Sequence, residues 1–134
     1  MTSVRVVSDG SRFGQAITIR QFQMTADEPP SVGGDDAGPT PMEYILAGLG
    51  SCKAMTLQMY AERKGWPLEQ VTVELSYEAH QGEYRMEAQL TLKGDLDDAQ
   101  RQRLREISDR CPVHKMLTAP VQIQTALVAA TATD

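Results

Sequence analysis

The chain has 134 residues, of which 41% are hydrophobic and 5% aromatic, and a formal net charge of −5 at pH 7. That length suits one domain able to bury a core without disulfides or a structural metal. An acidic balance, no basic stripe and few aromatic side chains leave no means of neutralising phosphates or stacking bases, so nucleic acid is excluded as a partner. Residues 1–10 alternate polar and β-branched side chains and do not read as a secretory signal. The weakly charged stretch Tyr44–Ala61 carries Lys53 and Gln58, and reads as a buried helix of a soluble protein, not a membrane span. The expected compartment is the cytosol.

Along the chain, Val4–Val7 and Ala16–Gln21 are β-branched runs that predict two strands, joined by a loop at Asp9–Gly14 with two glycines. The second run continues across a break into Phe22–Thr25, giving an N-terminal strand region over 1–25. Residues 26–39 hold Pro29-Pro30, Gly33-Gly34 and Gly38-Pro39, a loop too long for a mere connection and expected to cover something. Its Asp35-Asp36 pair lacks regular ligand spacing and reads as a solvated turn, not a metal loop.

Thr40-Pro41-Met42-Glu43 marks a helix start: threonine caps, proline takes the first helical position, and glutamate closes a capping box. The helix should run over 40–64, with Gly65 as its left-handed stop and Pro67 soon after. At about 1.5 Å per residue it spans roughly 35 Å and must be the central element. Ile45, Leu49, Cys52, Met55/Thr56 and Met59 recur at helical spacing, which places Cys52 on an apolar stripe. Small residues at Ala47, Gly48, Gly50, Ser51 and Ala54 let another helix approach closely.

Val71, Val73, Leu75, Tyr77 and Ala79, then Met86, Ala88, Leu90 and Leu92, alternate around a turn at His80–Glu83 and predict an antiparallel hairpin over 71–93. Asp97-Asp98-Ala99-Gln100 opens a second helix with another capping box. That element covers 97–117 and is interrupted at Cys111-Pro112, since the residue before proline avoids helical angles. Val121, Ile123, Thr125 and Leu127 predict a last strand over 121–128, followed by a frayed Ala/Thr tail. The fold class is α+β.

Chemistry, if present, runs through Cys52 and Cys111. In a reducing cytosol a distant cysteine pair is either core filler or redox chemistry, and the pattern leaves both open. A small buried hydrophobe is the ordinary role of a free cysteine. Cys52 lies mid-helix without help from the dipole, so activating it needs a cation such as Arg12, Arg20 or Lys53, the last of which points away as an adjacent helical residue. Cys111 is better placed: if Pro112 opens a helical turn, free N–H groups lie near its sulfur and favour negative charge. His80 and His114 make no zinc cluster with the cysteines, and no metal or other cofactor is expected. Two readings of His114 stand: a group that orients or protonates something near Cys111, and, favoured, a solvated helix-end histidine that suits the C-terminal dipole. Glu43 is explained by its capping role and lies out of phase with Cys52.

The segments Asp27-Glu28-Pro29, Gly33-Gly34 and Gly38-Pro39-Thr40-Pro41-Met42-Glu43 through Cys52, then Met55-Thr56-Leu57, Lys64-Gly65-Trp66-Pro67 and Asp109-Arg110-Cys111-Pro112-Val113-His114, together resemble the OsmC/Ohr family. The resemblance covers nearly the whole chain as one domain, 1–134. It implies an intertwined homodimer in which antiparallel sheets wrap around long central helices. It also implies a thiol-dependent reduction of organic hydroperoxides at the expense of a dithiol reductant, with Cys52 as the attacking thiol and Cys111 as the resolving one. Arg12, in a loop like the family's Gly-Arg-Gly turn, is the favoured arginine over Cys52, with Arg20 the other candidate. Peroxide-reducing members place a glutamate directly after the proline that opens the long helix. Here that position is Met42 and the acid is Glu43, a form that resembles the OsmC-like branch. Met42, Leu46 and Leu49 are expected to line an apolar substrate pocket that favours organic over hydrogen peroxide. Two rival readings are a non-catalytic dimer that binds a hydrophobic small molecule and a redox regulator switched by the same cysteines.

Overall fold

The structure, a computed structural model, describes residues 2–130. Three strands, β1 (Arg5–Ser8), β2 (Gln15–Ile19) and β3 (Phe22–Ala26), form an antiparallel meander. Ile17 sits opposite Val6 on one side and Met24 on the other. The break expected in the second β-branched run is a two-residue turn at Arg20–Gln21, closed by a positive φ of 54° at Arg20. The long loop then folds back on Asp27, which is only 2% exposed. Its carboxylate accepts from the N–H groups of Glu28 and Ala37, at 2.8 and 3.1 Å, and its own N–H donates to the Pro39 carbonyl.

The helix α1 spans Pro41–Lys64, and both of its terminal signals operate. Thr40 Oγ1 accepts from the Glu43 N–H at 3.2 Å, and Glu43 Oε1 accepts from the Thr40 N–H at 2.8 Å. Gly65, with φ 70°, ends the helix in the left-handed conformation. Strands β4 (Leu68–His80) and β5 (Glu83–Gly94) form a hairpin slightly longer than its alternation predicted. Gln81 and Gly82 both take positive φ, the tight turn that matches strand twist. Helix and hairpin approach closely because Gly50 has no side chain: a Cβ there would come within 2.6 Å of Leu75 Cδ1.

α2 (Asp98–Ile107) starts with the predicted capping box of Asp97 and Gln100. Its Arg101 clamps the end of β5, donating to the carbonyls of Leu92, Gly94 and Leu96 at 2.7, 2.9 and 3.2 Å. A single 3-10 turn at Ser108–Arg110 leads to α3 (Pro112–Leu117). Leu57 and Tyr60 of α1, Leu96, and Leu104 and Ile107 of α2 form the core, with Trp66, Leu68, Val71, Leu90 and Leu92 packed against it. Among the described residues no helix is long and apolar enough to cross a membrane.

Two expectations are corrected. The face of α1 that its own chain buries carries Leu49, Gly50, Lys53, Leu57 and Tyr60. It is turned by about a quarter of the helix from the apolar stripe read in the sequence. Ile45, Met55 and Met59 of that stripe are 40%, 56% and 64% exposed. Periodicity reports that a face is apolar, not which of two faces a given chain covers. Residues 121–128 form no strand; Ile123 and Leu127 are 83% and 103% exposed. Alternation makes a strand only where a sheet edge receives it, and among the described residues none does. The tail from residue 131 onward, read as frayed, lies outside the described residues.

Leu57 is fully buried at the centre of this arrangement. Leu57→Ala should therefore lower unfolding stability by roughly 2–5 kcal/mol in a urea titration, whereas a loss under about 0.5 kcal/mol would place the core elsewhere.

Candidate active site

Cys52, half-buried near the middle of α1, and Cys111, fully buried in the turn between α2 and α3, are both free thiols. Cys111 sits in the turn that packs against α1, close enough for Cys52 to act on its thiol. The helix-turn expectation for Cys111 holds in its geometry. Its backbone is extended, Pro112 takes the first helical position of α3, and Sγ accepts from the His114 N–H at 3.2 Å. The electrostatic outcome differs from that expectation. Burial pushes the Cys111 thiol up, and this outweighs the His114 N–H bond; the neighbouring Cys52 pushes it further up. Cys111 is a protonated thiol at neutral pH.

Lys53 is the residue the sequence reading undervalued. It is 4% exposed, and its ammonium docks the Cys111 segment onto α1. Nζ donates to the Ser108 carbonyl at 3.0 Å and to Asp109 Oδ1 at 3.5 Å, and lies 3.0 Å from His114 Nδ1. An ammonium has donors only, so His114 Nδ1 accepts and the ring proton resides on Nε2. Asp109 is held in turn by Arg105 Nη1 at 3.0 Å. Burial works against the Asp109 carboxylate, but Arg105 and Lys53 prevail and hold it below the usual aspartate range. His114 is therefore a partly covered acceptor, not a solvated helix-end group. One signal could have found Lys53: it lies one helical turn from both Leu49 and Leu57, and a charge on a buried face demands acceptors.

The arginines lie elsewhere within the chain. Arg12 stacks over Phe13, 5.0 Å from its ring centre, and packs against Gly33, while Arg20 stands 5.0 Å over Phe22. Both belong to the β1–β3 meander, which meets α1 where the Tyr44 hydroxyl donates to the Thr25 carbonyl at 2.6 Å. Glu43 is engaged in the capping box. Met42 and Leu49 line a cleft of about 1100 Å³ between β5 and the α2–α3 region. Lys53 and His114 also line it, but Leu46 and the two cysteines do not.

A long capped helix with a thiol at mid-length, opposed by a Cys-Pro turn and flanked by antiparallel sheets, defines a class of fold. The chain matches the family described as OsmC-like protein over residues 33–126, and it belongs to that family. Solved structures agree. The OsmC-like protein of Mycoplasma pneumoniae superposes with a TM-score of 0.76 at 18% identity, over 87% of this chain and 86% of that one. An organic hydroperoxide resistance protein OsmC from Legionella pneumophila gives 0.66 at 19% identity, over 88% and 89%. The organic hydroperoxide resistance protein OhrB of Bacillus subtilis gives 0.62 at 18%, over 88% and 90%. At such identities the likeness is one of fold. No curated protein matches the chain in sequence.

The raised Cys111 thiol has a direct signature, because only the thiolate is alkylated. Iodoacetamide at pH 7 should modify Cys111 far more slowly in the native protein than in urea. Its rate should keep climbing as pH passes the ordinary thiol range near about 8.5. Equal rates in both states, read by peptide mapping, would contradict the burial of this sulfur.

Proposed function

We propose that the protein is a thiol-dependent peroxidase that reduces organic hydroperoxides through Cys52 and Cys111. The observation that carries this reading is a pair of free thiols on packed elements, Cys52 half-buried on α1 and Cys111 fully buried in the turn that packs against it. The names of the Legionella and Bacillus relatives, both organic hydroperoxide resistance proteins, support the substrate class.

In the first step the Cys52 thiolate attacks the terminal oxygen of ROOH. The O–O bond breaks, Cys52 becomes a sulfenic acid, and the alcohol ROH leaves with a proton. In the second, Cys111 attacks the oxidised sulfur. An S–S bond forms, the S–O bond breaks, and the hydroxyl leaves with the thiol proton as water. A dithiol reductant of the cytosol then returns both cysteines to thiols. A Cys111 that rests protonated does not compete for peroxide, and it gives up its proton to the departing hydroxyl as it attacks. With Met42 where peroxide-reducing relatives carry glutamate, and Glu43 committed to its cap, we assign no side-chain acid to the departing alkoxide; water supplies the proton. Met42 and Leu49 line a cleft that includes neither sulfur, and they favour an apolar R group where that group reaches from Cys52 into it.

The reading includes a second copy of the chain. Ile45, Gly48, Ser51, Met55 and Met59 form an exposed, small and apolar stripe on α1, a face suited to an equivalent helix. Arg12 acts beside Cys52 only if that second copy brings it there.

The test is intact mass after one equivalent of cumene hydroperoxide. Loss of two hydrogens, mapped to a Cys52–Cys111 disulfide, is expected. Cys52→Ser should abolish peroxide consumption, and Cys111→Ser should leave a sulfenic acid that proceeds to sulfinic acid. An unchanged dithiol after prolonged exposure would overturn the reading. For assembly, sedimentation should give twice the chain mass, reduced to the monomer by Met59→Asp.

The cleft itself favours a second reading, a non-catalytic binder of a hydrophobic small molecule, since its volume reaches the upper range of ligand pockets. Thermal stabilisation by a fatty acid in a protein with both cysteines replaced would select it.

A further inference from the structure

We propose that Lys53 is the positioning residue of the thiol pair: its ammonium holds the turn that carries Cys111 against Cys52. The inference deepens the peroxidase reading and rests on it for its biological meaning, though the geometry it concerns is testable without peroxide.

The segment from Ser108 to Leu117 has little apolar anchorage. α3 contributes no buried residue, and only Ser108 and Cys111 turn fully inward. Lys53 grips this segment on both sides of Cys111, through the Ser108 carbonyl and Asp109 before it and the His114 ring after it. Because Lys53 follows Cys52 directly, the two side chains leave α1 about 100° apart. They therefore address one docked segment from neighbouring directions, and the rigid helix fixes the sulfur relative to the grip. A disulfide forms only when the Cα atoms stand within about 7 Å, so the docking decides whether Cys111 can reach an oxidised Cys52.

The competing role for Lys53 is activation of the Cys52 thiolate. An ammonium offers three donors, and the Ser108 carbonyl, Asp109 and His114 account for all three. None is left for the neighbouring sulfur. Lys53 therefore acts on the resolving step, in which the Cys111 sulfur bonds to Cys52 as the sulfenic hydroxyl departs as water, and not on the attack that consumes ROOH.

The experiment compares wild type, Lys53→Met and His114→Leu, with cumene hydroperoxide and separately with diamide as the oxidant. In Lys53→Met, single-turnover consumption of peroxide should stay within about twofold of wild type, while the Cys52 sulfenic acid trapped by dimedone should increase because it is resolved more slowly. Disulfide formation should slow by at least about tenfold with either oxidant, and sulfinic acid should accumulate under peroxide. His114→Leu, which removes one of the three acceptors, should shift the same partition by less, and serves if Lys53→Met does not fold. Unchanged disulfide rates in the variants, or slowed sulfenic acid formation, would overturn the proposal. Should wild type form the disulfide with diamide but not with peroxide, the peroxidase reading falls. The diamide ratio between wild type and Lys53→Met then still decides the role of Lys53.

Discussion

One buried ammonium governs the local architecture. Taking a lysine head out of water costs several kcal/mol unless its donors are satisfied, so the chain around Lys53 has little freedom over where it goes. The turn after α2 must present a carbonyl, a carboxylate and an unprotonated ring nitrogen to a single point on α1. Among the described residues no buried side-chain polar atom is left without a partner, which shows that the demand is met. Apolar contacts set where α2 lies, through Leu104 and Ile107. Beyond Ile107 packing gives way to hydrogen bonding as the force that seats the chain.

The two thiols differ in exposure, and burial sets the character of the inner one. Cys111 receives a backbone N–H, which on its own would favour the thiolate, yet burial overrides it. A sulfur capping a short helix is therefore not automatically an acidic one. The seal over the cap decides, and here it is complete.

Much of this was legible in the sequence because its signals are local. Both capping boxes, the glycine stop at residue 65 and the Cys-Pro interruption are each written within a few residues and appear where expected. The hairpin followed from alternation and differed only in length. What could not be read was relational. The sequence showed an apolar stripe through Ile45, Met55 and Met59, but the chain uses the adjacent face and leaves that one exposed. Residues 121–128 carry a strand's alternation without a neighbouring edge to complete it. Lys53 was set aside because it points away from Cys52; pointing away is what lets it hold the segment that Cys52 meets. The arginines are the converse case: their residue type suited a thiol, but within the chain each stacks on a neighbouring phenylalanine of its own meander.

Cys52 lies close to the midpoint of a helix of 24 residues. Near either end, the helix itself would bias the charge on a sulfur, and any change in that bias would require rebuilding a cap. At mid-span the backbone contributes almost nothing, because its own hydrogen bonds are all internal. Reactivity is thus delegated to whatever lies alongside: a turn, a loop, a neighbouring surface. Such a scaffold is evolutionarily permissive. Exchanging residues in those surroundings would change the thiol while leaving the helix that carries it, and the folding signals at its two ends, the same.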